Sequence, residues 1–171
     1  MNSYPTDAEL LVRSVAEPAL FGELYERHGL AVRRYVVRRI GDGAGEDLAA
    51  DVFVRAFRAR GRYRPDRETA LPWLLGIANH VVADHRRLER RRLTALARLA
   101  GDGEGCTDEQ DAALDPQLVA ALRRLPAVER DTLLLVVWGE LTLDEAAAAL
   151  AVPVGTVSSR ITRARKRLTA V

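Results

Sequence analysis

Lysine is almost missing from this 171-residue chain: Lys166 stands alone among 26 basic side chains. The others are arginine, whose planar fork suits phosphates and base edges, although a GC-rich genome produces the same bias. A single cysteine, Cys106, excludes a disulfide framework and a cysteine-built zinc site and fits a reducing, cytoplasmic setting. It sits in a polar stretch, where a free thiol with no redox role is expected. Aromatics make up only 5%, and few segments show the alternation of strands. No apolar run reaches the ~20 residues of a membrane span. Residues 133–138 (Leu-Leu-Leu-Val-Val-Trp) read as a buried helix face. The first seven residues lack the charged and apolar regions of a signal peptide. There is no glycine-rich phosphate loop, no His-Glu-x-x-His and no nucleophile with an assigned base. An enzyme is therefore not expected, nor a cofactor or a metal. His28, His80 and His85 read as structural.

What the chain does have is alanine, leucine and valine, with 48% hydrophobic residues in all. That composition predicts an all-α fold. The net charge of +2 is unevenly spread. Residues 1–99 carry 18 basic and 13 acidic side chains; residues 118–171 carry eight and five. Between them, residues 100–117 hold six acids (Asp102, Glu104, Asp108, Glu109, Asp111, Asp115) and no base. Two basic helical domains on a flexible acidic linker are the pattern of a nucleic-acid binder with a charged tether. The expected divisions are 1–95, 96–115 and 116–171.

Helical periodicity fills in the domains. Thr6 or Asp7 can cap a short helix to Val15, and Pro18 opens a longer one that residues 41–43 (Gly-Asp-Gly) end. A third helix is expected from Glu46 to about Arg60, with Leu48, Val52 and Ala56 inward. After a basic loop, Pro72 starts a fourth that reaches Arg92 and continues toward Leu99. Gly101, Gly103 and Gly105 then mark the linker. Beyond it, Pro116 and Pro126 each open a helix, and Gly139 breaks the second.

The last thirty residues read as a helix-turn-helix. Thr142 caps its first helix, with Glu145 completing a capping box. Pro153 enters the second, where Val157, Ile161, Ala164 and Leu168 form one narrow apolar seam. Ser159, Thr162, Arg163 and Lys166 lie opposite. Small hydroxyls and cations facing away from a greasy seam suit a DNA major groove; an ordinary amphipathic helix with a solvated basic face has the same pattern.

Four stretches in order carry a resemblance: residues 21–28; residues 46–57; residues 73–78 with Asp84, Arg86 and Arg87; and residues 125–130 through Val154-Gly155-Thr156-Val157 to Arg163-Ala164-Arg165. Over nearly its whole length the chain resembles an extracytoplasmic-function (ECF) sigma factor, the small two-domain specificity subunit of bacterial RNA polymerase. The resemblance implies two partners, core polymerase and promoter DNA, and leaves open an anti-sigma protein. It also implies three surfaces. Asp47, Asp51, Val54 and Arg58 would meet the clamp coiled coil of the largest subunit; a solvated face with Asp–Arg pairs is the plain alternative. The family commonly has Gln-Glu where this chain has Ala50-Asp51.

Arg62, Tyr63, Arg64, Arg67, Trp73, Asn79, His80, Arg86, Arg87, Arg90 and Arg91 would read and melt the −10 element. Opening DNA costs about 1.4 kcal/mol of stacking per base step. A protein without ATP offsets this by capturing flipped bases and holding phosphates. Trp73 serves equally well as a core plug, and His80 stands where relatives often have Asn. Thr156, Ser158, Ser159, Arg160, Arg163 and Lys166 would meet the −35 element. Many relatives carry a cation in place of Ser158, so isolated −35 binding is expected to be weak. The helix around residues 133–138 would face the flap of the second-largest subunit. The acidic linker would either mimic RNA on the polymerase, fold back on the arginine faces, or merely solubilise. The competing reading is a stand-alone helix-turn-helix regulator, which would bind duplex DNA unaided.

Overall fold

The computed structural model describes residues 4–100 and 116–169. Among them run eight α-helices and two short 3-10 turns, with no strand. Thr6 caps α1 (Asp7–Arg13) in a full capping box with Glu9. The helix stops short of Val15, where Ser14 turns its hydroxyl onto the Leu11 carbonyl at 2.7 Å. A 3-10 turn, Pro18–Leu20, leads into α2 (Phe21–Ile40).

Helix α3 (Asp42–Ala59) begins four residues before the expected Glu46. Gly41 alone makes the break, with φ of 90° that a side chain would resist. Gly45 is then needed for close approach, since a Cβ there would lie 2.9 Å from Val37 Cγ2. Helix α4 (Leu71–Ala100) ends one residue beyond the expected continuation to Leu99 and so crosses the division expected at residue 96. Residues 95–100 are all Ala, Leu or Arg, strong helix formers, and Gly101 is the first breaker. The rest of the expected linker, Cys106 included, lies outside the described residues.

The second module comprises α5 (Pro116–Arg124), α6 (Ala127–Val137), α7 (Leu143–Leu150) and α8 (Val154–Thr169). The expected capping box opens α7: Thr142 Oγ1 accepts from Glu145 N–H at 3.2 Å while the Glu145 carboxylate takes Thr142 N–H at 2.8 Å. Ala151 closes α7 in the left-handed region at φ 52°, and Pro153 leads into α8.

Leu10, Leu11, Leu24, Val32, Val36, Val52, Leu74, Val81 and Val82 are almost wholly buried in the first module. Leu133, Leu134, Leu135, Ala146, Val157, Ile161 and Ala164 fill the second. Each fully buried Leu or Val contributes about 1.5–3 kcal/mol. The two cores are continuous, because α4 packs on α7. Gly76 permits this contact: a Cβ there would lie 2.5 Å from the Ala149 carbonyl oxygen. A buried ion pair joins the modules, with Arg39 Nη2 on Asp131 Oδ1 at 2.5 Å.

Candidate nucleic-acid interface

The helix periods that bury the cores also decide which polar groups reach the surface. On α3, Asp47, Val54 and Arg58 are exposed along one face, and Val54 is an apolar residue left to solvent. Asp51 is half-buried beside them. It accepts from Arg55 Nε at 2.8 Å, and Arg55 also reaches Asp84 on α4 at 2.8 Å. That bridge holds the Asp84 carboxyl below its ordinary range, the Arg55 hydrogen bond outweighing slight burial.

The loop before α4 and the helix itself carry the larger cationic surface. Arg62 and Arg64 are exposed, and Tyr63 sits edge-on to Trp73 with ring centroids 5.1 Å apart. Both rings are half-buried, and Trp73 leans on the core while keeping an accessible edge. His80 is exposed, and its Nδ1 lies 2.8 Å from the Gly76 carbonyl. A carbonyl only accepts, so Nδ1 carries a proton and Nε2 is the ring nitrogen left facing outward. Farther along, Arg87, Arg90 and Arg91 line an open groove with Thr94 and Ala95. Arg87 also lies 3.6 Å from Asp84.

Three members of the expected −10 set are placed differently. Asn79 is buried, and its Oδ1 accepts from Arg39 Nη1. It points at the junction of the modules, away from the arginine face, because the Arg39 guanidinium needs acceptors there. Arg86 is half-buried and donates to the Arg39 carbonyl at 2.7 Å, tying α4 to the end of α2. Arg67 reaches across to the Asp144 carbonyl in the second module at 3.3 Å.

On α8, Ser158, Ser159, Arg163 and Lys166 are exposed, and Thr156 and Arg160 are half-buried. Ser159 donates its hydroxyl to the Thr156 carbonyl at 2.9 Å, so its lone pairs face outward. Arg163 does not stand free. Its Nε–H donates at 3.1 Å to Glu129 Oε1, from a glutamate only 5% exposed on α6. Arg167 Nε lies 3.1 Å from the other oxygen of Glu129. Neither Glu129 nor Arg167 is among the contacts expected from the sequence; the four-residue step from Arg163 to Arg167 is visible there, but the carboxylate facing it is not.

Among the described residues no group of His, Cys, Asp and Glu could hold a metal ion, and no helix is long and apolar enough to cross a membrane.

A helical module with an arginine-faced fourth helix is thus followed by a helix-turn-helix module. Residues 24–92 match Sigma-70 region 2 and residues 116–168 match Sigma-70, region 4. The ECF RNA polymerase sigma factor SigC of Mycobacterium tuberculosis is 36% identical over 81% of this chain and 76% of its own length. SigL of the same species is 32% identical over 86% of each chain. The solved structure of CnrH from Cupriavidus metallidurans, in complex with the cytosolic domain of CnrY, is 28% identical with a TM-score of 0.66, over 96% of this chain and 95% of that one. The chain belongs to the ECF RNA polymerase sigma factors.

Proposed function

We propose that this chain brings core RNA polymerase to promoters by reading two DNA elements with two separate surfaces. The single observation that carries this reading is the pairing of two exposed arginine faces, one on α4 and one on α8, in different modules. Arg62, Arg64, Arg87, Arg90 and Arg91 hold phosphates of the −10 strand, while Tyr63, Trp73 and His80 meet its unstacked bases. Thr156, Ser158, Ser159, Arg160, Arg163 and Lys166 face the −35 duplex. Asp47, Asp51, Val54 and Arg58 dock on the polymerase clamp, with exposed Val54 as the apolar centre of the patch. The α6 segment faces the flap. The chain contributes no catalytic group; phosphodiester chemistry stays with the polymerase. The solved complex of CnrH with the cytosolic domain of CnrY supports an analogous protein partner for this chain.

In vitro transcription with purified core polymerase over a promoter library tests the reading. Promoter-selective transcripts that depend on the added chain are expected. Failure to associate with core polymerase, or duplex binding as tight without it, would favour a stand-alone regulator instead.

A further inference from the structure

Glu129 raises a physical question: a carboxylate almost without exposure stands beside a helix meant to attract phosphates. Buried charge persists only when paired. Glu129 is paired with two arginines of the recognition helix, Arg163 through Oε1 and Arg167 beside Oε2. The Arg163 contact is an aligned hydrogen bond. The Arg167 contact is an ion pair without that alignment, since Oε2 has no hydrogen-bonded donor.

Both arginines are held by Nε, the nitrogen nearest the stem. Their terminal nitrogens have no partner among the described residues, and the side chains are 55% and 57% exposed. Each guanidinium therefore keeps four N–H donors for an anion. The two residues are one helical turn apart, about 6 Å along the axis, on the same flank. That flank lies between the buried seam of Val157, Ile161 and Ala164 and the exposed Ser159 and Lys166. A helix seated in a groove presents this flank to one strand's backbone.

We propose that Glu129 is a positioning residue that sets Arg163 and Arg167 as a phosphate clamp, making Arg167 an additional DNA-backbone contact. Holding a guanidinium in its bound orientation beforehand removes side-chain entropy that DNA binding would otherwise have to overcome. The carboxylate leaves the outer donors uncovered because it uses only the inner edge of each fork. This inference rests on the promoter-binding reading above.

The test is a salt series of promoter binding by the reconstituted holoenzyme. Arg167→Ala is expected to weaken binding about tenfold and to lower the slope of log K against log salt by about one. Arg167→Lys should lose nearly as much, because an ammonium drawn to Glu129 has no second edge for a phosphate. Glu129→Gln should also weaken binding, since an amide oxygen can accept from one arginine while its NH2 faces the other. Thermal melts of the exposed Arg167 variants should match the parent. Tighter binding by Glu129→Gln would mean that the carboxylate only masks the arginines, and would overturn the proposal. So would Arg167→Lys binding like the parent, or Arg167→Ala leaving the slope unchanged. A parent holoenzyme that ignored promoter DNA would instead sink the promoter reading, and the clamp with it.

Discussion

Asp7 shows how one side chain can tie three helices together. Its Oδ2 accepts from the Ala70 N–H at 2.8 Å and from His28 Nε2 at 2.5 Å, and its Oδ1 accepts from Arg27 at 3.1 Å. The start of α1, the middle of α2 and the entry to α4 meet there. Burial pushes the carboxyl upward, but the Ala70 N–H, His28 and Arg27 together hold it below its ordinary value of 3.8. A depressed carboxylate stabilises the fold above its unfolded pKa, and that stabilisation is lost as pH falls through the lower folded value. Asp7→Ala should cost about 3 kcal/mol near neutral pH, because it strands a buried N–H, the Arg27 guanidinium and the His28 ring. Asp7→Asn should cost less. In urea titrations the gap between parent and Asp7→Ala should be full at pH 7 and should shrink as pH falls below about 4. A gap unchanged by acid would refute the assignment.

At the scale of elements, caps and packing glycines do the positioning. The Thr142–Glu145 box satisfies backbone donors that α7 would otherwise leave open, so Thr142→Ala should lose about 1 kcal/mol in thermal unfolding. Gly76→Ala should do more, because its Cβ would meet a backbone carbonyl of α7, which cannot rotate away. We expect it to loosen the α4–α7 contact while α4 keeps its helical circular dichroism. Legibility in the sequence divides along this line. Caps, breakers and the 3.6-residue period are local, so all eight helices could be anticipated from neighbouring residues alone. Exposure of Arg90, Ser159 or Lys166 followed from the same period. What the sequence hid was pairing at a distance. Asn79 stands next to exposed His80 on the fourth helix, yet it is buried and its amide oxygen is taken by Arg39, 40 residues earlier. Glu129 meets Arg163 across 34 residues. The early start of α3 has another cause: three nearby glycines imply a longer loop, yet among the described glycines only Gly41 adopts a positive φ.

At the scale of the molecule, the junction between the modules decides what promoter binding requires. Elements centred about 25 base pairs apart lie about 85 Å apart on B-form DNA at 3.4 Å per pair. A folded chain of this length has a radius of gyration of about 15 Å. On the promoter reading, the docked modules are too close together to reach both elements, so that reading requires the α4–α7 contact to open. The polar contact that must break is the Arg39–Asp131 pair: Arg39, 2% exposed, holds Tyr35 Oη at 2.9 Å and Asn79 through Nη1 within its own module, and Asp131 across the junction through Nη2. Burial pushes the Tyr35 phenol up despite the Arg39 charge nearby, so it remains a neutral partner. Among the described residues Asp131 is thus the one carboxylate that accepts from this guanidinium. Asp131→Ala leaves a buried cation with neutral partners and should cost about 3 kcal/mol in denaturant unfolding. It should also raise the radius of gyration in X-ray scattering as the modules part. Pairing Arg39→Met with Asp131→Leu removes both charges and should recover most of the lost stability, since much of the single-variant cost is the unpaired charge itself. If Asp131→Ala is as stable and compact as the parent, the ion pair does not hold the modules together and α4–α7 packing alone does.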